Sequence, residues 1–99
     1  MNQLVAQYSP TFERDLKRLA KKHYDAEKVA EVIDLIIENS EVSMATLKNR
    51  HNMHTLNGVW KGCNECHVCN AGDWLLIWKV DGAIALMQRT GTHDELFKN

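Results

Sequence analysis

The strongest structural signal in the sequence is a pair of apolar segments separated by Asp81-Gly82. The first segment, Trp74–Val80, reads WLLIWKV, and the second, Ala83–Arg89, reads AIALMQR. Both residues of the Asp-Gly pair tolerate positive φ, as tight hairpin turns require. The sequence therefore predicts an antiparallel β-hairpin, and the rest of the chain has to fold around it.

The register of this hairpin predicts which side chains meet at its open end. If Val80 pairs with Ala83 across the turn, Trp74 faces Arg89. Asp73 directly precedes Trp74 in the sequence. We therefore expect Asp73 and Arg89 to be neighbours.

The N-terminal part of the chain contains one short strand and two helices. Leu4–Tyr8 is a candidate strand, and Ser9-Pro10 can cap and start a helix. This helix should end near Lys22–Tyr24, after which Asp25 can cap a second helix that ends around Asn39-Ser40. Apolar residues recur at helical spacing in the two segments: Phe12, Leu16, Leu19 and Ala20, then Val29, Val32, Ile33, Ile36 and Ile37.

The remaining segments are shorter. Residues 41–58 are less regular, and within them Ala45–Lys48 is expected to form a helical turn. Glu65–Val68 is a candidate strand. Thr92 and Glu95 have the spacing of a capping box, which predicts a short C-terminal helix.

A single α+β domain over residues 1–99 accommodates all of these elements. Their order, β–α–α–β–β–β–(α), predicts two N-terminal antiparallel helices packed on a small, mainly antiparallel sheet. A length of 99 residues leaves room for one domain with a small core.

Charge and hydropathy exclude some classes of protein. With 12 Lys and Arg against 13 Asp and Glu, the net charge is −1, so composition does not indicate a basic nucleic-acid-binding domain. We expect a cytoplasmic protein without membrane contact, because the chain lacks an apolar run of roughly 18 residues and a signal peptide. The basic side chains form either a local cationic face or a solvated surface: Lys17, Arg18, Lys21, Lys22, Lys48, Arg50 and Lys61.

The three cysteines have the spacing of a cofactor motif, but we expect no cofactor or metal. Cys63, Cys66 and His67 match the C-x-x-C-H pattern of haem attachment, and Cys69 extends it towards a zinc motif. Haem attachment would need export. On a strand, Cys63, His67 and Cys69 would point one way and Cys66 the other, so the ligands would not converge. Reduced, partly buried thiols are the preferred interpretation.

Five polar residues of the C-terminal half are suited to RNA cleavage: His54, His67, Asp73, Arg89 and His93. Histidine can transfer protons near neutral pH, and an arginine fork can bind phosphate oxygens. RNA supplies its own 2′-hydroxyl nucleophile, so such a site needs no metal. The alternative is that each histidine is an inert surface residue.

Several motifs resemble those of a family of bacterial toxins. They are Tyr8-Ser9-x-x-Phe12-x-x-Asp15-Leu16-Lys17, His54-x-Leu56-x-Gly58-x-Trp60-Lys61-Gly62, Glu65-Cys66-His67-Val68, Asp73-Trp74-Leu75-Leu76-Ile77-Trp78-Lys79 and Arg89-Thr90-Gly91-Thr92-His93-x-x-Leu96-Phe97. Together they cover nearly the whole chain and are similar to the YafQ branch of the RelE/ParE superfamily of toxin–antitoxin pairs. The resemblance is weakest over residues 40–53.

The resemblance implies an activity, partners and a site. YafQ-type toxins are ribosome-dependent endoribonucleases that cut mRNA in the A site, and a cognate antitoxin neutralises them in a hetero-oligomeric complex. The implied catalytic residues are His54, His67, Asp73, Arg89 and His93, and the implied substrate contacts are Phe97, Trp74 and Lys61.

The resemblance also implies roles for these residues. His54 or His67 would be the general base, and His93 the general acid. Arg89 would stabilise the phosphoryl charge, while Asp73 would orient a histidine or itself take protons.

Some alternatives stay open at this point. Trp74 is either a base-stacking residue or part of the core, and strand alternation favours the core. Five residues separate His67 from Asp73, where the family usually has three, so the intervening loop is longer here. A ParE-like gyrase inhibitor or a non-catalytic antitoxin-binding module could also use this fold.

Overall fold

The protein contains a five-stranded mixed sheet. The computed structural model describes residues 2–69 and 73–97. In chain order its elements are β1 (Val5–Tyr8), α1 (Pro10–Lys21), α2 (Ala26–Glu38), α3 (Glu41–Arg50), β2 (His54–Thr55), a 3₁₀ helix (Gly58–Trp60), β3 (Asn64–His67), β4 (Leu75–Asp81), β5 (Ile84–Gly91) and α4 (His93–Phe97). The strand order is β1-β5-β4-β3-β2, with β1 parallel to β5 and the other pairs antiparallel. The predicted α+β class is confirmed.

The first two helices begin and end as the sequence predicts. The Ser9 hydroxyl accepts a hydrogen bond from the Phe12 N–H at 3.0 Å, and Pro10 occupies the first turn of α1. Asp25 accepts from the Glu27 N–H at 3.0 Å and starts α2. Asn39 ends α2 in the left-handed conformation, with φ 51°.

Residues 41–50 form a full helix, so the expectation of a single turn at Ala45–Lys48 was wrong. Ser40 starts α3 through reciprocal bonds with Ser43: its hydroxyl accepts from the Ser43 N–H at 3.0 Å, and its N–H donates to the Ser43 hydroxyl at 2.9 Å. This serine-based capping box replaces the usual Glu or Gln at the third position. α3 buries only Ser43 and Leu47, so it lacks the apolar stripe that identifies α2 in the sequence.

The hairpin forms, but its predicted register was wrong. Asp81 pairs with Ile84, and the turn between them contains Gly82 with φ 59°. An irregularity between Ile77 and Trp78 then shifts the pairing again, and Arg89 lies opposite Ile77 rather than Trp74. The turn lies one residue later than predicted, and the bulge shifts the pairing further in the same direction. Arg89 therefore does not reach the position beside Asp73.

The sheet has one buried face under the helices and a second, smaller cluster on its other face. The main cluster joins the helices to β-strand residues that include Cys66, Trp74 and Trp78. The second cluster consists of Cys63, Leu75, Ile77 and Leu96. The core position that strand alternation favoured for Trp74 is therefore confirmed.

The cysteines are distributed between the two faces. Cys63 and Cys66 lie in different clusters, as alternation predicts, but Cys69 packs on the cluster of Cys66 rather than with Cys63. β3 ends at His67, so strand alternation no longer applies to Cys69. Within the described ranges, no helix is long and apolar enough to cross a membrane.

Candidate active site

The first turn of α4 holds His93 against Asp73. The Asp73 carboxylate accepts the His93 backbone N–H at 3.0 and 3.1 Å, and its Oδ1 lies 2.6 Å from His93 Nδ1. An ionised carboxylate can only accept, so Nδ1 carries the proton. Nε2 is therefore the nitrogen of His93 that can exchange a proton with a substrate.

The capping box predicted at Thr92 and Glu95 positions α4. The Thr92 N–H donates to Glu95 Oε1 at 2.9 Å, and the Glu95 N–H donates to the Thr92 hydroxyl at 3.2 Å. Arg18 on α1 also binds Glu95, with Nε 2.7 Å from Oε2. The helix that carries His93 is thus capped at its start and attached to α1.

The rings of His67 and Phe97 both lie close to the His93 ring. Each ring centroid is 6.1 Å from that of His93. The Phe97 side chain is exposed, and His67 is half-buried at the end of β3. Two imidazoles and an aromatic ring therefore meet at one place, with Asp73 fixing the central ring.

A second histidine pair lies on β2 and β3. His54 pairs directly with Glu65 across the two strands, and His54 Nε2 is 3.2 Å from Glu65 Oε1. His54 Nδ1 is 2.9 Å from the carbonyl oxygen of Asn52. Glu65 is buried and is two residues from His67 on β3, so both side chains project from the same face of the sheet.

Sequence reasoning did not identify Glu65. Its position two residues before His67 was a signal that the two share a face. Its pairing with His54 depends on β2, a strand of two residues, which has no recognisable pattern in the sequence.

Arg89 does not contact Asp73, contrary to the expectation from the hairpin register. Its guanidinium binds Asp15 on α1, with Nε–Oδ2 at 2.8 Å and Nη2–Oδ1 at 3.2 Å. Asp15 also accepts from Arg18 Nη1 at 2.7 Å and from the Thr90 N–H at 3.0 Å. Burial raises the pKa of Asp15, but these hydrogen bonds outweigh it and hold the pKa below its ordinary value.

Trp74 is a core residue in this structure. It is 3% exposed, its Nε1–H donates to the Thr90 hydroxyl at 2.8 Å, and its ring makes an edge contact with Tyr24. Its faces are covered, so the expectation that it contacts substrate is not supported, whereas Phe97 remains accessible. Lys61 is exposed directly after the 3₁₀ helix.

The basic residues on and directly after α1, which form either a cationic face or a solvated surface, are partly neutralised. Arg18 binds both Asp15 and Glu95, and Lys22 Nζ is 3.5 Å from Glu95. The other basic residues of this helix are Arg14, Lys17 and Lys21. The uncompensated positive charge is therefore smaller than the sequence suggests.

The cysteine motif does not assemble a metal site among residues 2–69 and 73–97, where no group of three or more His, Cys, Asp or Glu side chains could hold an ion. Burial, and to a smaller extent the charge of Glu65, raises the pKa of the Cys66 thiol. Metal binding requires the thiolate, which this environment disfavours. The loop between His67 and Asp73 is the one that is longer than in the family. Residues 70–72 of this loop lie outside the described residues.

Comparisons of the sequence and of the fold both identify YafQ toxins as similar proteins. Residues 4–98 match the family model for the bacterial toxin of type II toxin–antitoxin system, YafQ. The mRNA interferase toxin YafQ of Escherichia coli (strain K12) is 36% identical over 97 residues, which cover 98% of this chain and 99% of that protein.

Solved structures are similar over the same extent. The crystal structure of YafQ from E. coli strain BL21(DE3) has a TM-score of 0.82 and 34% identity, covering 96% of this chain and 99% of that one. A chain of the E. coli DinJ-YafQ toxin-antitoxin complex has a TM-score of 0.80 and 35% identity, covering 96% and 98%.

Proposed function

This chain belongs to the YafQ family of toxins from bacterial type II toxin–antitoxin systems, and we propose that it is a ribosome-dependent endoribonuclease. It would cleave mRNA in the ribosomal A site by acid–base catalysis, with the RNA 2′-hydroxyl as nucleophile and without a metal ion. Its E. coli relative is named an mRNA interferase, which supports this reaction class.

The observation that carries the proposal is the contact of His67 with His93, whose ring Asp73 fixes. Cleavage by a 2′-hydroxyl needs one group that removes a proton and another that protonates the 5′-oxygen of the leaving strand. Two adjacent imidazoles can perform these two steps, because histidine can act as a general base or a general acid.

The remaining residues have supporting roles in this reaction. His93 is the general acid, and Asp73 holds its ring so that Nε2 faces the substrate. The general base is His54 or His67. Arg89 stabilises charge on the phosphoryl oxygens, and Asp15 limits the orientations that its guanidinium can adopt.

Two side chains are available to bind the RNA. Phe97 is exposed beside His93 and can stack on an unpaired base. Lys61 is exposed and can bind a phosphate. We also infer that a cognate antitoxin binds this chain, since the related E. coli toxin occurs in a complex with DinJ.

The proposal is tested with purified protein, ribosomes and an mRNA positioned in the A site. We expect cleavage on the ribosome, fragments with a 2′,3′-cyclic phosphate and a 5′-hydroxyl, and full activity in the presence of a chelator selective for transition metals. His93→Ala should lower the rate by about 10²–10⁴-fold, as is typical for loss of a general acid or base. Fragments with 5′-phosphate ends would contradict the mechanism.

His23→Asn is a matched control for the loss of a histidine. His23 is exposed at the end of α1 with φ 65°, a conformation that asparagine tolerates. We expect wild-type cleavage from this variant.

A protein that cleaves no mRNA but blocks DNA supercoiling by gyrase would instead be a ParE-like toxin.

A further inference from the structure

Both ring nitrogens of His54 are occupied by oxygen atoms of the protein. Nε2 lies 3.2 Å from Glu65 Oε1, and Nδ1 lies 2.9 Å from the carbonyl oxygen of Asn52. In either neutral tautomer, the nitrogen that lacks a proton faces one of these oxygens. His54 therefore presents no open lone pair to a substrate hydroxyl.

The position of Glu65 determines which oxygen lies beside Nε2 of His54. Glu65 is a carboxylate 4% exposed, fixed on β3 directly opposite His54. A buried carboxylate is costly unless it is paired, and the imidazole of His54 lies within ion-pair distance of it, with Nε2 3.2 Å from Oε1. The carboxylate thus lies beside the Nε2 edge of the ring rather than at the surface.

The ring of His54 is nevertheless accessible, since 46% of the side chain is exposed. An accessible aromatic ring with a protein oxygen close to each of its nitrogens has few orientations open to it. Such rings, including histidine, stack on the unpaired bases of single-stranded RNA. His54 also lies on the strand beside β3, which carries His67 at its end.

We propose that Glu65 is a positioning residue that fixes His54 as a stacking platform for a base of the mRNA, and that His67 is the proton acceptor. This inference rests on the proposed ribonuclease function and deepens it, because it separates the two histidines that could have been the base. Glu65 acts through His54 and touches no reacting atom.

The test replaces the imidazole by a ring that can stack but cannot accept a proton. Because His54→Phe alone would leave the buried Glu65 without its partner, the substitution is combined with Glu65→Gln. The comparison variant is Glu65→Gln with His54→Ala, which removes the ring. Circular dichroism and thermal denaturation establish that each variant is folded.

Binding is measured first, with ribosomes that carry an mRNA whose 2′-hydroxyl at the cleavage site is replaced by hydrogen. We expect the Phe variant to bind within a few-fold of wild type. The Ala variant should bind about 5- to 150-fold more weakly, the usual effect of losing one base–aromatic stack. Equal weakening in the two variants would overturn the stacking assignment, whether or not the protein cleaves RNA.

Cleavage is then measured with the normal mRNA at saturating ribosome concentration. The Phe variant should retain a rate within about tenfold of wild type, whereas His67→Gln should lose about 10²–10⁴-fold, as expected for loss of a proton acceptor. A Phe variant as slow as His67→Gln would show that His54 is the base and would overturn the proposal. Absence of cleavage by the wild-type protein would overturn the proposed function and the assignment of His67 as proton acceptor, and the binding result would then decide the stacking role of His54.

Glu65→Gln alone shows whether Glu65 acts through His54. We expect it to weaken mRNA binding in the wild-type background and to have no further effect when His54 is already alanine. Ile77→Val, directly opposite Glu65 on β4, is the control for a general disturbance of the sheet. An effect of Glu65→Gln that persists in full without the His54 ring would overturn its positioning role.

Discussion

The guanidinium of Arg89 is bound to the carboxylate of Asp15, a residue 74 positions away in the sequence. Asp15 is 1% exposed and receives four hydrogen bonds, from two atoms of Arg89, from Arg18 and from the Thr90 N–H. Through this carboxylate, α1 is connected to β5 and to the start of the segment that leads to His93.

Asp15→Asn should destabilise the fold, because it removes the charge that compensates two arginines at a buried position. A hydrogen bond to a charged group contributes about 1.5–3 kcal/mol, and we expect a loss of at least that size in the free energy of unfolding, measured in urea. Asp34→Asn on the exposed face of α2 is the control, expected to change stability by less than about 0.5 kcal/mol. Equal effects of the two variants would contradict the role of Asp15.

The contribution of Asp15 should also depend on pH. Its pKa lies below the ordinary value in the folded protein, so its contribution to stability is fully present above the pKa of the unfolded chain, about 4. It is lost as the pH falls through the folded pKa. The stability difference between wild type and Asp15→Asn should therefore be constant from about pH 5 to 7 and shrink below about pH 4. A difference that grows on acidification would have the wrong sign.

Local patterns predicted the elements better than their contacts. Ser9-Pro10 and Asp25 located the starts of α1 and α2, and the apolar periodicity identified their buried faces. The hairpin was also recognisable, but its register depended on a turn one residue later than predicted and on a bulge that no residue type indicates. Arg89 was therefore assigned the wrong neighbour.

Only part of the candidate site was predicted, because local patterns indicate positions along the chain but not contacts between distant segments. His67, Asp73 and His93 do meet, because each lies next to a strand end of one antiparallel meander. Glu65 and Asp15 were missed as partners, because they depend on a very short strand and on the packing of α1 against β5. Contacts between distant segments are set by tertiary packing rather than by local sequence.

Asp73→Asn should impair cleavage without unfolding the protein. An asparagine can present its NH₂ group to His93 Nδ1, which favours the tautomer with the proton on the other nitrogen. The cleavage rate should fall by about 10²–10⁴-fold, with a small change in melting temperature because Asp73 is exposed. Asp94→Asn, on the same helix as His93 and also exposed, is the control and should cleave as wild type does.

Gly91→Ala should displace α4. Gly91 has φ 155°, and an added Cβ would lie 2.8 Å from Glu95 Oε1 and 3.0 Å from Arg18 Nη2. Both atoms belong to the two side chains that attach α4 to α1, where Arg18 Nε is 2.7 Å from Glu95 Oε2. Overpacking of this kind costs about 1–3 kcal/mol. We expect a lower melting temperature and slower cleavage, because the same helix carries His93.

Gly82→Ala is the control for this substitution. Gly82 also has positive φ, 59°, but no atom lies within 4 Å of the position that a Cβ would occupy at the hairpin turn. The variant should therefore lose stability through backbone strain alone and retain its cleavage rate at temperatures where it is folded. If Gly91→Ala also cleaved at the wild-type rate, the attachment of α4 through Arg18 and Glu95 would not be what positions His93.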